Sequence, residues 1–193
     1  MIFKFFWIVR AIVFYPFFGK IKFPSYIGRP VFLKGTQNIF IGRYVRIYPQ
    51  IRMETHGLNG IIEIQDDVSI GQNVHITSGS KLKIGKSTTI LANVFITNID
   101  HNYKQIGIHI LKQDYLIEET SIGENCFIGI GSCIQAGTIL GKQCIVGANS
   151  VIRGQFPDYS VIAGVPGKVI RRYNPQNDIW EKTNPDGTFK RQN

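Results

Sequence analysis

The feature that most constrains the fold of this chain is an aliphatic residue at every sixth position, unbroken from residue 122 to residue 152. Glycine directly follows four of these residues, and Gln135 and Arg153 follow the other two. Six residues rotate an α-helix by about 600°, which would scatter the aliphatic side chains over three faces. An ordinary strand alternates at every second residue and needs no regular glycine. The repeated residues are Ile122, Ile128, Ile134, Leu140, Val146 and Ile152.

A coil with three short, flat faces fits this spacing. Each face takes one repeat and turns its aliphatic residue inward, and we expect the glycine at a corner where a positive φ costs little. Small residues two positions ahead of the aliphatic ones, including Cys126 and Cys144, are then packing positions. Stacked coils of this kind form a solenoid with a continuous apolar core.

The same spacing recurs in pieces upstream, enough for roughly five coils in all. The sequence therefore predicts an all-β solenoid over residues 39–155, preceded by a helical leader over 1–38. The remaining residues, 156–193, are expected to form a C-terminal segment and a tail with a short helix near Asp178–Lys182.

Two segments leave the repeat, Met53–Gly60 and Asn98–Thr120, and we interpret both as loops that project from corners. Loops on a rigid scaffold often carry function. The second loop begins close to Asp100 and His101, which makes it the candidate active-site loop. The other three histidines are assigned no function, because two lie in loops and His75 precedes an inward-facing residue.

The charge balance favours anionic partners. Lys and Arg number 22 against 13 Asp and Glu, a net charge of +9. No compact basic run is present, so nucleic acid is not expected. Three cysteines, an odd number, without a secretory signal argue against a disulfide framework.

The first twenty residues are rich in aromatic and aliphatic side chains. Lys4, Arg10 and Pro16 interrupt them before the ~20 apolar residues that a membrane span needs. A short helix in residues 1–20 could lie at a membrane surface. It could equally pack on its own domain or on a neighbouring subunit, and the sequence leaves both open.

The stretch SIGENCFIGIGSCIQAGTILGKQCIVGANSVIRGQFPDYSVIAGVPGKVIRRY resembles the C-terminal half of hexapeptide-repeat acetyltransferases. It is most similar to the O-acetyltransferases of lipopolysaccharide and capsule biosynthesis, related to galactoside, maltose and xenobiotic acetyltransferases. The resemblance covers about residues 39–173 and implies a left-handed parallel β-helix, a homotrimer with active sites between subunits, acetyl-CoA as donor and no metal. Phe127 stands where the family often has tryptophan, and the loop from His101 to Thr120 has its own composition.

The resemblance also implies roles for individual residues. His101 opens the loop where the family has its catalytic histidine, and an imidazole suits general-base catalysis at neutral pH. Asp100 and Asn102 are then candidate acceptor contacts, and Asp100 could instead orient the imidazole. The cofactor-binding residues carried over from the family are Ala148, Arg153 and Gly154 beside the pantetheine arm, and Lys168 and Arg171 beside the phosphates or adenine.

Three alternatives remain beside this interpretation. A γ-type carbonic anhydrase needs a close histidine pair, whereas His101 and His109 are eight positions apart. A non-catalytic solenoid scaffold would be expected to lose the loop histidine or the basic tail, and both are present. A xenobiotic, antibiotic or small free-sugar acetyltransferase differs only in its acceptor.

The sequence as a whole favours acetylation of a sugar hydroxyl in a surface polysaccharide or in its lipid-linked or nucleotide-linked precursor. Such an enzyme is expected in the cytoplasm or on the inner face of the cell membrane.

Overall fold

A computed structural model describes residues 2–190; Met1 and residues 191–193, the ends of the predicted leader and tail, lie outside the described range. The chain starts with helix α1 (Ile2–Phe14) and a 3-10 helix (Tyr15–Phe17), and two further 3-10 helices follow at Thr36–Asn38 and Ile110–Lys112. The strands up to the inserted loop are β1 (Lys20–Ile21), β2 (Tyr26–Ile27), β3 (Phe32–Lys34), β4 (Ile39–Ile41), β5 (Arg46–Ile47), β6 (Arg52–Thr55), β7 (Ile61–Ile64), β8 (Ser69–Ile70), β9 (His75–Ser78), β10 (Lys81–Ile84), β11 (Thr89–Ile90) and β12 (Phe95–Thr97).

The inserted loop and the C-terminal part contain the remaining strands. They are β13 (Ile99–His101), β14 (Tyr115–Ile117), β15 (Thr120–Ile122), β16 (Phe127–Ile128), β17 (Cys133–Ile134), β18 (Ile139–Leu140), β19 (Ile145–Val146), β20 (Val151–Ile152), β21 (Gln155–Phe156), β22 (Ser160–Gly164), β23 (Gly167–Asn174) and β24 (Ile179–Lys182).

Successive strands belong to three different sheets, so the chain coils around a triangular prism. The first face is ordered β1-β4-β7-β10-β15-β18-β21, the second begins β2-β5-β8-β11-β16-β19-β22, and the third runs β3-β6-β9-β12-β17-β20. The pairs within these runs are parallel. The predicted all-β solenoid is therefore confirmed.

The core is the stack of inward-facing residues that the six-residue repeat specifies. On the third face, Ile76 pairs in register with Met53 and Ile96, and all three side chains are fully buried. Cys126 and Cys144 are buried free thiols, as expected of packing positions. The repeat thus buries one aliphatic residue on each face of each coil.

The glycines that follow the aliphatic residues serve a different purpose from the predicted one. Gly85, Gly123 and Gly141 stack on one another at one corner, and a Cβ on Gly85 would lie 2.5 Å from the carbonyl oxygen of Gly123. Positive φ falls instead two positions later, at residues such as Asn125 (57°) and Asn149 (56°). The glycines are needed because coils approach closely there, and asparagine tolerates the left-handed conformation.

The solenoid extends beyond the predicted limits at both ends. β1 to β3 form a first coil that pairs with β4 to β6, and its core residues Ile21, Ile27 and Leu33 keep the six-residue step. At the other end β22 continues the second face, and β23 turns back antiparallel to it. The helix predicted near Asp178–Lys182 is wrong: this segment contains strand β24, which pairs with β23.

Both excursions project from the corner between the third and first faces. The first is shorter than predicted, because β6 reaches Thr55. The second contains the antiparallel hairpin β13–β14, in which His101 lies opposite Tyr115. The candidate active-site loop is thus an ordered hairpin at a defined corner.

Helix α1 packs against the second face. The ring centroid of Trp7 lies 5.2 Å from that of Tyr48, and Arg10 Nη1 donates a hydrogen bond of 3.1 Å to the carbonyl oxygen of Ile27. Phe5, Phe6 and Ile12 remain more than half exposed. Among residues 2–190, no helix has the length and apolar character needed to cross a membrane.

Candidate active site

A cavity of about 340 Å³ opens where the hairpin leaves the corner between the third and first faces. His101 and Tyr115 from the hairpin line it, and so do Thr97 and Gln135 from the third face and its edge. The chain passes the same corner again at Gln135–Gly137 and at Arg153–Gly154, one and two coils further on. The corner thus brings together segments that are far apart in the sequence.

His101 is the last residue of β13 and its side chain is exposed. The imidazole centroid lies 5.1 Å from the ring centroid of Tyr115, at an interplanar angle of 68°. Among the residues that the structure describes, no carboxylate lies within ion-pair distance of this imidazole. Asp100 Oδ1 instead accepts a hydrogen bond of 2.8 Å from the backbone N–H of His101. Asp100 therefore does not orient the His101 ring.

Arg153 connects the hairpin to the solenoid. Its Nη1 lies 3.2 Å from Asp100 Oδ2, and its Nη2 lies 2.6 Å from Glu118 Oε1. One guanidinium thus holds both ends of the inserted loop. All three side chains are nearly half exposed, so water screens the two pairs and each stabilises the loop only modestly.

The other expected cofactor residues lie at different positions. Gly154 adjoins Arg153, has φ of +111° and would meet only open space with a Cβ. Ala148 is exposed at the corner between the second and third faces, across the third face from the hairpin. Lys168 and Arg171 are exposed on β23. Within one chain, Arg153 and Gly154 thus lie at one edge of the third face, Ala148 lies at its other edge, and Lys168 and Arg171 lie on the sheet of the second face.

The cavity lining includes neither Asn102, a predicted acceptor contact, nor Phe127, which stands where the family often has tryptophan. The side-chain oxygen of Asn102 accepts a hydrogen bond of 3.0 Å from the backbone N–H of Lys104, within the loop. Phe127 is exposed on β16, on the second face.

The sequence reasoning missed two residues that line the cavity, His56 and Tyr115. It also missed Glu54, whose carboxylate contacts His56 and His75. A signal for this group exists in the repeat. On the third face the position after each inward residue is polar rather than glycine, at Glu54, Thr77, Thr97, Gln135 and Arg153.

Burial and neighbouring charges determine the ionisation of this group. Burial alone would raise the pKa of Glu54, but hydrogen bonds and charges from Arg52 and His75 together hold it below its ordinary value. The pKa of His75 is lowered, chiefly by burial and also by the charge of Arg52, although the hydrogen bond and charge of Glu54 act to raise it. At neutral pH Glu54 is therefore ionised and His75 is neutral.

A larger groove of about 600 Å³ lies on the first face of the N-terminal coils. Phe40 and Ile61 are part of its lining, and lysines 20, 22, 81 and 86 surround them. It contains no histidine or cysteine. The smaller cavity at the hairpin is the candidate active site, because it is the one of the two that is lined by imidazoles, including that of His101. Among residues 2–190, no group of three or more His, Cys, Asp or Glu side chains could hold a metal ion.

Comparison with known proteins relates this architecture to enzymes. A family model described as "Hexapeptide repeat of succinyl-transferase" matches residues 119–153. The putative lipopolysaccharide biosynthesis O-acetyl transferase WbbJ of Escherichia coli K12 is 35% identical over 177 residues, which is 88% of this chain and 87% of that protein. The probable acetyltransferase Rv3034c of Mycobacterium tuberculosis is 29% identical over 149 residues, covering 76% of this chain and 49% of that protein.

Among solved structures, the N-acyltransferase AntD of Bacillus cereus, in complex with dTDP and 3-hydroxybutyryl-CoA, matches with a TM-score of 0.71. The match covers 87% of this chain and 90% of that one at 16% identity, so it shows a shared fold. One relative is 35% identical along most of both chains, and the six-residue repeat and the prism fold are consistent with that relationship. The chain therefore belongs to the hexapeptide-repeat acetyltransferases of the left-handed parallel β-helix fold.

Proposed function

We propose that this protein transfers the acetyl group of acetyl-CoA to a sugar hydroxyl of a surface polysaccharide or of its lipid-linked or nucleotide-linked precursor. The observation that carries the proposal is the exposed imidazole of His101 at a cavity on a rigid solenoid corner. The similarity along most of the chain to a putative lipopolysaccharide O-acetyl transferase supports the choice of acceptor.

His101 is the proposed general base. A sugar hydroxyl is a weak nucleophile until a base removes its proton as the new C–O bond forms, and a positioned base accelerates such a step by about 10²–10⁴. Acetyl-CoA supplies a thioester carbonyl whose C–S bond breaks. The imidazole holds the hydroxyl proton and can return it to the departing sulfur, so the residue ends the cycle unchanged.

The proposed donor site consists of Ala148, Arg153 and Gly154 along the pantetheine arm, with Lys168 and Arg171 at the phosphates. Small side chains let the arm approach the backbone closely, and the open space at Gly154 is compatible with this. Exposed lysine and arginine side chains suit phosphate oxygens. Asp100 and Asn102 remain proposed acceptor contacts.

We also propose a homotrimer in which each active site lies between adjacent subunits. Ala148 and His101 lie at opposite edges of the third face, which supports a site completed by a neighbour. Mixing His101→Ala with Ala148→Trp tests this directly. Random trimers should regain about a quarter of the wild-type sites, since three quarters are mixed and each mixed trimer has one intact site. No recovery in mixed trimers would refute sites shared between subunits.

A peripheral location on the inner face of the cell membrane is the proposal for the leader. Lys4 lies beside the exposed apolar residues of α1, and Lys20 follows soon after it. A helix of this kind can lie in the interface of a membrane that contains anionic lipid. The wild type should float with vesicles of phosphatidylglycerol and phosphatidylethanolamine. The Phe5→Gln/Ile12→Gln variant should no longer float with them, while its oligomeric state stays unchanged. Equal flotation of this variant and the wild type would contradict the membrane contact.

The function itself is tested by transfer from labelled acetyl-CoA to candidate glycans, free sugars and antibiotics, with the product linkage determined by NMR. His101→Ala should lose about 10²–10⁴ in rate while folding and assembling normally. His109→Ala changes a histidine outside the cavity lining and is the matched control. Full activity in His101→Ala would refute the base, and no transfer to any acceptor would favour a scaffold.

A further inference from the structure

A nearly buried carboxylate beside the cavity has no role in the mechanism above. Glu54, in β6, is 7% exposed and occupies the polar position that follows the inward-facing Met53 on the third face. Its Oε1 is 3.1 Å from His75 Nε2, and its Oε2 is 3.5 Å from His56 Nε2. Arg52 Nε also donates a hydrogen bond to Oε1. Burying a carboxylate is costly without partners, so Glu54 depends on these contacts. The same contacts hold the two imidazoles in defined orientations.

The two histidines around Glu54 differ in what their other side meets. His75 packs against the ring of Phe95, at a centroid distance of 5.0 Å. His56 lines the same cavity as His101. The Tyr115 ring contacts both cavity histidines, with its centroid 6.3 Å from that of His56 and 5.1 Å from that of His101. Both imidazoles of the cavity therefore lie next to one phenol ring.

The partners of the two cavity imidazoles give them different chemistry. A neutral imidazole has one N–H donor and one acceptor nitrogen, and a carboxylate beside one nitrogen favours the proton on that nitrogen. Glu54 beside Nε2 of His56 therefore leaves Nδ1 as a hydrogen-bond acceptor. A ring held in this way suits the recognition of a hydroxyl group, whereas no carboxylate of the described residues contacts the ring of His101.

From this geometry we infer that Glu54 and His56 form an acceptor-positioning pair: His56 Nδ1 accepts a hydrogen bond from a second hydroxyl of the sugar, and Glu54 fixes its tautomer. The inference rests on the proposed sugar acetylation and adds a residue that selects acceptors with two suitably placed hydroxyls. Thr77 and Gln135 line the same cavity and supply further polar partners. The 3.5 Å separation between His56 and Glu54 is longer than an ordinary N–H···O hydrogen bond, so the inference requires the two groups to move closer when the acceptor binds, as active-site hydrogen bonds commonly do.

Steady-state kinetics with acetyl-CoA and a panel of methyl hexopyranosides test the pair. For each sugar that the wild type acetylates, His56→Phe should raise the acceptor KM about tenfold, as expected for one lost hydrogen bond. The kcat should stay within about threefold, and the KM for acetyl-CoA should not change. His56→Asn, which keeps an acceptor atom near the position of Nδ1, should restore much of the loss. His109→Phe makes the same substitution outside the cavity lining and should match the wild type.

A second readout does not depend on the acceptor. Imidazole ¹⁵N shifts of His56 above pH 7.5 should show the Nε2–H tautomer, and Glu54→Gln should shift them towards a mixture. An unchanged acceptor KM in His56→Phe, or an Nδ1–H tautomer in the wild type, overturns the inference. If the wild type acetylates none of the sugars, the proposed function fails for this acceptor class, and the ¹⁵N shifts still decide whether Glu54 orients His56.

Discussion

The glycine stack at one corner of the solenoid leads to a prediction about stability. Gly123 follows β15, and its N–H donates to the carbonyl oxygen of Leu140 at 2.9 Å, which fixes the distance between the two coils. A Cβ added to Gly123 would lie 2.5 Å from the carbonyl carbon of Gly141 and 2.9 Å from the amide nitrogen of Lys142. Non-bonded carbons prefer about 3.5–4.0 Å, so one coil must move by about 1 Å.

The expected cost of Gly123→Ala follows from this geometry. Overpacking typically costs about 1–3 kcal/mol, and the upper end applies here because the opposing atoms are backbone atoms that cannot turn away. We therefore expect a loss of about 3 kcal/mol in the free energy of unfolding. Gly57→Ala is the matched control: Gly57 has φ of +66° and open space around a Cβ, so only conformational strain of about 1 kcal/mol is expected.

Equilibrium unfolding in guanidinium chloride, at one fixed protein concentration, measures both variants against the wild type. The thermal midpoint of Gly123→Ala should also fall, by about 2–4 °C for each kcal/mol lost. If Gly123→Ala costs no more than Gly57→Ala, close approach of the coils is not the reason for the glycine, and the reasoning is refuted.

Three further predictions concern other parts of the molecule. Ile76→Ala, in the centre of the core, should lower the free energy of unfolding by about 2–5 kcal/mol in denaturant titrations. The pKa of His75 is lowered in the folded protein, so the unfolded chain binds more protons than the folded protein as the pH falls below about 6.5. The free energy of unfolding should therefore decrease from about pH 7.5 to 5.5, and it should decrease less in His75→Gln. Arg153→Gln breaks the pairs with Asp100 and Glu118, so amide exchange across residues 99–117 should accelerate by up to about tenfold, and unchanged exchange would exclude a clamping role.

Much of the fold follows from local patterns in the sequence. One aliphatic residue at every sixth position is buried on each face of each coil, and the step alone predicts the prism and its core residues. The first coil could have been identified by the same step, from Ile21, Ile27 and Leu33. The pattern is weaker there, because a glycine follows only Ile27 of the three.

The candidate site was predictable in part. His101 lies at the cavity as expected, and its role as general base stays a prediction. The sequence did not indicate that Asp100 pairs with Arg153, because the two residues are 53 positions apart and come into contact only when the coils stack. The sequence places His56 in a loop and assigns it no function. Its position beside Tyr115 depends on a hairpin that folds back over the same corner.

The sequence by itself determined the repeat, the apolar core and the loop that contains the histidine, because each depends on neighbours within one or two coils. Only the tertiary structure decided which polar residues meet at the corner. Insertions of unequal length interrupt the regular spacing between coils. His56 after β6, His101 and Tyr115 in the hairpin, and Gln135 after β17 therefore line one cavity without any regular spacing between them. The six-residue pattern specifies how each coil packs, and the stacked coils with their inserted loop create the cavity.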